Sequence, residues 1–201
     1  MKLYFNPFSP FARKVILASH FLGLEKDIEL VKISTADLPK DYHKINPLLK
    51  IPSFVTDTNE NIIDSYFICE YLNSIAKKGN LFPTDSKQNR EVKYSHVVSS
   101  NATESAVAMR MESLKPSHLH DPAHFAKHRK KILNSLDYFN QNFGFATNQV
   151  FVDSLSLVTF LGYLKFRFSK ETWFAENQKL FGWHDEMQKQ YKIIADTTPK
   201  E

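Results

Sequence analysis

The chain has 201 residues, 42% of them hydrophobic and 13% aromatic, enough to bury a core in one large or two small domains. Its formal net charge of +4 arises from 26 basic and 22 acidic side chains that are interspersed, which favours small anionic ligands and lacks the basic stripe of a nucleic-acid binder. A single cysteine, Cys69, excludes an internal disulfide framework, and no apolar run approaches the ~20 residues of a membrane-spanning helix. The N-terminus lacks the apolar core of a signal peptide, so the expectation is a soluble cytoplasmic protein with no membrane or nucleic-acid partner.

Residues 3–5 read as a first strand, and residues 10–22 as a helix that opens at Pro10 and ends at Gly23. Residues 28–33 alternate apolar and polar side chains, as a second strand does. A polar, Pro-containing stretch with a short helix follows. Residues 53–56 form a third strand, the turn formers at 57–61 a hairpin, and Ile62-Ile63 the start of a fourth strand. A helix then runs from Ser65 to about Ile75, with Ser65 as its cap. The first βαβ unit implies parallel pairing, and the hairpin adds an antiparallel edge.

The stretch 78–85 has linker composition and separates an α/β domain at 1–77 from an all-helical domain at 86–201. In the second part, helices are expected at 86–114, from Pro122 (capped by Asp121) to about Phe143, at 153–168, and at 173–189, followed by a polar tail. The helix at 153–168 is apolar on several sides and is expected to be the buried centre of its domain.

Ser9 sits where a strand hands over to a helix. Its plainest role is an N-cap, yet a helix N-terminus also stabilises a nearby anion, a thiolate included. Three motifs widen that choice. Ser9-Pro10-Phe11-Ala12-Arg13-Lys14-Val15 resembles S/C-P-x-x-R-K-V, Asn46 to Phe54 resembles N-P-x-G-K-V-P-x-L, and Asp64 to Leu72 resembles E/D-S-x-x-I-x-x-Y-L. In this order and spacing they resemble the soluble glutathione S-transferases, in particular a bacterial subgroup with Ser-Pro-Phe at the start of the first helix.

That resemblance implies a thioredoxin-like domain followed by an all-helical one, glutathione as co-substrate, a small electrophile as second substrate, a homodimer, a detoxifying role and no metal. A free thiol has a pKa near ~8.5 and is poorly reactive at neutral pH. A hydroxyl donating to the sulfur holds the thiolate, and Ser9 matches the residue with that role. Resemblance also implies a cis bond at Pro52, with Ile51 pairing with the cysteinyl backbone of glutathione; an ordinary trans proline is the alternative. Asp64 and Ser65 match the pair that receives the γ-glutamyl end, and Lys50 is placed to reach the glycyl carboxylate or to stay solvated. Leu49 stands where the family commonly has glycine. Phe8, Phe11, Tyr94, Met109 and Arg110 match the second-substrate region, Met109 being equally suited to core packing.

Other features have plainer readings. Tyr4 suits core or interface, Cys69 a buried helix position, and Asp153 a helix cap. His118, His120, His124 and His128 are expected as exposed linker and helix residues; His124 and His128 share a helix face at i, i+4 that metal binding could use, but no acidic or cysteine ligand is placed to complete a site. Two further classes stay open. Thiol–disulfide exchange is disfavoured, because serine cannot form a mixed disulfide and Ala12 removes a resolving cysteine. A glutathione-fold module that binds without catalysis is the other.

Overall fold

The computed structural model describes residues 1–34, 36–144 and 149–200. The chain divides into two compact units, the first covering Met1–Thr84 and the second starting at Asp85.

The first unit contains β1 (Lys2–Phe5), α1 (Pro10–Phe21), β2 (Glu29–Lys32), β3 (Ser53–Val55), β4 (Asn61–Ile63) and α2 (Ser65–Ser74), with a short 3-10 turn at Tyr42–Lys44. The sheet order is β2-β1-β3-β4. β1 and β2 pair in parallel, and β3 runs antiparallel to both β1 and β4. α1 follows the expected punctuation. Ser9 caps its start, Pro10 occupies the first position, and Gly23 follows the end with φ of 72°. Leu24 N–H donates to the Ser19 carbonyl at 2.8 Å and Gly23 N–H to that of His20 at 3.1 Å, so the last carbonyls are satisfied by a left-handed turn. α1 packs on α2, burying Leu17, Ile68, Cys69 and Leu72.

Residues 77–82 are held against this unit. Lys77 and Lys78 N–H donate to the Leu22 carbonyl, Leu81 N–H donates to Asn73 Oδ1, and Phe82 packs edge-on against Tyr66. Gly79 lies at φ 69°, and a Cβ there would come within 2.8 Å of the Phe21 carbonyl oxygen.

The second unit is helical: α3 (Ser86–Ser113), α4 (Pro122–Asn142), α5 (Val152–Arg167), α6 (Trp173–Glu176), α7 (Gln178–Gln190) and α8 (Lys192–Asp196). Asp121 caps α4 through Ala123 N–H, with Pro122 at the first position, as its sequence implies. Every residue of α5 from Val152 to Leu164 is buried, and α3 packs against both α4 and α5. Two expectations change here. The helix expected at 173–189 breaks at Asn177, whose buried amide turns back to donate to the Trp173 carbonyl at 2.8 Å and interrupts the ladder. The polar tail is also partly ordered: Ile194 is fully buried and anchors α8, although Lys192 and Asp196 face solvent.

Candidate functional site

Strand register gathers the candidate residues of the first unit. Tyr4 pairs with Ser53, and Ser53 pairs with Ile63. The C-terminal end of β1, the N-terminal end of β3 and the C-terminal end of β4 therefore lie side by side. From that one end of the sheet depart the segment leading to Ser9, the segment arriving through Ile51-Pro52, and the turn into Asp64-Ser65.

Asn6 shapes the first of these. Its side chain accepts from Phe8 N–H at 2.9 Å and donates to the Ile33 carbonyl at 3.2 Å, while Ser9 N–H donates to the Asn6 carbonyl. The chain thus turns from β1 into α1 with Ser9 as the capping residue. Ser9 Oγ accepts from Ala12 N–H at 3.2 Å. That bond uses an oxygen lone pair and leaves the hydroxyl proton available to an acceptor. Capping and donation to an anion are therefore compatible in one serine. Arg13 and Lys14 in the next turn are both buried, and burial lowers the Arg13 pKa to about 10. The Lys14 ammonium lies 5.8 Å from the centre of the Phe11 ring.

The Ile51-Pro52 bond is cis. Its approach is fixed by a polar cluster at the Lys50 carbonyl. The Tyr42 hydroxyl stands 2.9 Å from that oxygen and 2.8 Å from Ser53 Oγ. Asn46 Nδ2 donates to the same two atoms at 2.9 and 3.0 Å, and Ser53 Oγ donates to the carbonyl at 3.1 Å. Tyr42, Asn46 and Ser53 are buried, so these bonds form away from competing water. Asn46 Oδ1 also accepts from Leu48 N–H, and its carbonyl from Leu49 N–H. Leu49 is thereby held at φ 53°, the left-handed conformation that glycine adopts freely. Among the described residues the Ile51 N–H and C=O make no backbone hydrogen bond. Lys50 is exposed.

At the third turn the structure corrects the expected cap. Asp64, not Ser65, is the N-cap of α2, accepting from Tyr66 N–H at 2.7 Å and Phe67 N–H at 3.3 Å. Ser65 is the first residue of the helix. Asp64 does this at φ 72° and ψ 129°, a conformation rarely adopted by residues with a side chain. Ile68 N–H donates to the Asp64 carbonyl. With the N–H groups of 66, 67 and 68 taken, the Ser65 N–H and hydroxyl are the donors left at this helix start. Cys69, one turn further on, is fully buried, and burial pushes its thiol up to about 12, leaving it protonated and inert. Tyr4 is partly buried, its ring 5.8 Å from that of Tyr42.

Sequence reasoning assigned no role to Tyr42, Asn6 or the Ser53 hydroxyl. An Asn-Pro pair signals a turn, but nothing local to Tyr42 reveals that its hydroxyl reaches across to residues 50 and 53.

The remaining candidates divide between the units. Phe8 is exposed and Phe11 half-buried in the first. In the second, Tyr94 is exposed with its ring 5.5 Å from Tyr138, and Arg110 lies near Ser113 Oγ. Met109 is buried within the α3–α4–α5 core, which fits its packing role. Asp153 is not a cap: Phe151 occupies that position, and the buried Asp153 carboxylate accepts from Ser154 N–H at 2.7 Å. Burial pushes its pKa up to about 6. No group of three or more His, Cys, Asp or Glu side chains that could hold a metal stands among the described residues. Nor is any described helix long and apolar enough to cross a membrane.

The chain is similar to known proteins over most of its length. Residues 3–80 match the family model of the glutathione S-transferase N-terminal domain. An uncharacterized GST-like protein of Escherichia coli, YibF, is 26% identical over 185 residues, covering 90% of each chain. Glutathione S-transferase L3 of Arabidopsis thaliana is 29% identical, over 94% of this chain and 78% of its own length. A crystal structure of a glutathione S-transferase from Methylobacillus flagellatus, solved with glutathione bound, superposes with a TM-score of 0.91 at 26% identity and 99% coverage of both chains.

Proposed function

From a chain that has the glutathione S-transferase fold and carries that family's N-terminal domain over residues 3–80, we propose a glutathione-dependent transferase that joins the thiol to a small electrophile. The observation that carries this reading is the convergence of Ser9, the cis Ile51-Pro52 bond and the Asp64-Ser65 turn at one end of the sheet. In this reading the free Ile51 backbone groups pair with the cysteinyl unit as an added strand would. The Ser65 N–H and hydroxyl take the γ-glutamyl carboxylate at the start of α2, Asp64 holds that turn, and Lys50 approaches the glycyl carboxylate.

Ser9 then donates its hydroxyl proton to the sulfur, while Oγ keeps its bond to Ala12 N–H. The serine forms no covalent bond. It stabilises the thiolate, which attacks the electrophilic carbon and displaces the leaving group or adds to the acceptor. Phe8 and Phe11, which flank Ser9 along the chain, are this unit's candidates to offer apolar surface to the electrophile. Homodimerisation, a cytoplasmic location and a detoxifying role belong to the same reading.

One observation favours a second reading, binding without catalysis: Leu49, where the family commonly has glycine, stands exposed at φ 53° in the segment that approaches Pro52. Turnover of glutathione with a chromogenic aryl halide, compared between the native protein and Ser9→Ala, separates the two. A rate lost with glutathione affinity retained supports the transferase. An unchanged rate removes Ser9 from the chemistry, and affinity without any native turnover supports the binding module.

A further inference from the structure

Outside that site, one cluster has donor atoms with no task in the fold. His124 and His128 lie one turn apart on the same face of α4, with ring centroids 4.4 Å apart and planes tilted by 45°. His124 Nε2 and His128 Nδ1 are both shielded from solvent, and among the described residues neither has a hydrogen-bond partner. Buried polar atoms are ordinarily paired, so two orphaned nitrogens on adjacent rings call for a third party. The rings themselves are only half-buried, so the pair lies at the surface of α4 and not in the core.

We propose that His124 and His128 chelate a divalent transition-metal ion of the kind that prefers imidazole, namely Zn²⁺, Cu²⁺ or Ni²⁺, with water completing its coordination. An imidazole nitrogen holds such an ion at about 2.0–2.1 Å, which puts two chelating rings roughly 4.5–5 Å apart, close to the spacing already present. The surroundings suit a neutral donor. Burial first, then the charges of His124, Lys131 and Lys127, lower the His128 pKa, the direction that favours a neutral imidazole. The Glu112 carboxylate of α3 sits close enough to His124 to feel its charge, and it is held in place by Lys115 and by Asp121 N–H. It offsets part of the lysine field on an arriving cation. The other two histidines of the segment do not share this arrangement: His120 Nε2 is engaged with the Lys115 carbonyl, and His118 lies in the exposed turn before it. With two protein ligands the site belongs to an exchangeable ion rather than one on which folding depends.

The test uses the untagged full-length protein, titrated calorimetrically with Zn²⁺ and examined with Cu²⁺ by electron paramagnetic resonance. One ion is expected to bind saturably, with the copper spectrum showing coupling to two nitrogens. His124→Ala and His128→Ala should each weaken Zn²⁺ binding at least ~10-fold, the low end of what losing even an outer partner of a ligand costs. The double variant His118→Ala/His120→Ala should bind as the native chain does. Circular dichroism checks folding, and His124→Gln and His128→Gln, closer in size, replace any alanine variant that unfolds. Absence of saturable binding overturns the proposal, as does unchanged affinity in both single variants or loss of binding in the His118/His120 double variant.

Discussion

Asp64 combines a favourable and an unfavourable feature in one residue, and substitution can separate them. Its carboxylate caps α2 through two N–H groups, while its backbone sits at φ 72°. A cap of this kind is worth about 1 kcal/mol relative to alanine. A side-chain-bearing residue in so sparsely populated a conformation costs about 1–3 kcal/mol. Asp64→Ala loses the cap and keeps the backbone cost, so it should destabilise by about 1–2 kcal/mol. Asp64→Gly relieves the backbone, and glycine is only a few tenths of a kcal/mol worse than asparagine or aspartate as a cap, so it should be at least ~1 kcal/mol more stable than the alanine variant. Asp64→Asn keeps the cap, tolerates positive φ, and loses only the carboxylate–helix attraction of roughly 0.3–1 kcal/mol. The expected order is Gly at or above native, then Asn, then Ala, with each kcal/mol moving the melting temperature by about 2–4 °C in a chain of this size. Thermal unfolding followed by far-ultraviolet circular dichroism, with hydrogen exchange of the α2 amides, reads both the global and the local effect. If the alanine variant proves as stable as the glycine variant, the backbone assignment at Asp64 is wrong.

Ser9→Ala removes the α1 cap and should lower stability by about 1 kcal/mol independently of its effect on turnover; unchanged stability would mean that the Ala12 N–H finds water instead. Leu49 is held at φ 53° with its side chain 50% exposed, so little burial is lost on truncation. Leu49→Gly should therefore stabilise by up to ~1 kcal/mol, the left-handed penalty less the entropy of glycine, and a loss of stability in urea unfolding would show that the leucine side chain packs. The Asp153 pKa is raised from 3.8 to about 6 by burial, so its protonated form contributes stability that is fully present below pH 3.8 and lost as pH rises through about 6. Asp153→Asn should remove a pH-dependent difference on the order of 3 kcal/mol between those limits; a native-minus-variant stability that stays flat from pH 4 to pH 7 refutes the shift.

The helix ends of α1 and the start of α4 were legible because their signals are local. Ser9, Pro10, Gly23, Asp121 and Pro122 act within one turn of themselves. The buried α5 was legible for a different reason, an apolar surface on every side. Where reading failed, a distant partner decided. Asn177 breaks a periodic helix because its amide finds the Trp173 carbonyl and Asn140. Ile194 orders an otherwise polar tail because a hydrophobic site exists to receive it. The cap of α2 moved from Ser65 to Asp64 because the chain leaves β4 in a left-handed conformation, which neither residue type announces.

For the site, the residues themselves were visible as three spaced motifs, since a proline, a capping hydroxyl and an acidic turn each carry a recognisable local chemistry. By itself the sequence determined the two-part fold class, the helix-start position of Ser9 and the absence of a second thiol for disulfide chemistry. Only the tertiary structure decided that these segments meet. The pairing of Tyr4 with Ser53 and of Ser53 with Ile63 sets three distant turns at one end of a sheet. The Tyr42–Asn46–Ser53 cluster then fixes the Lys50 carbonyl and with it the approach to Pro52. Hydrogen bonds between residues far apart in sequence leave no periodic trace along the chain, so that arrangement had to be observed in three dimensions.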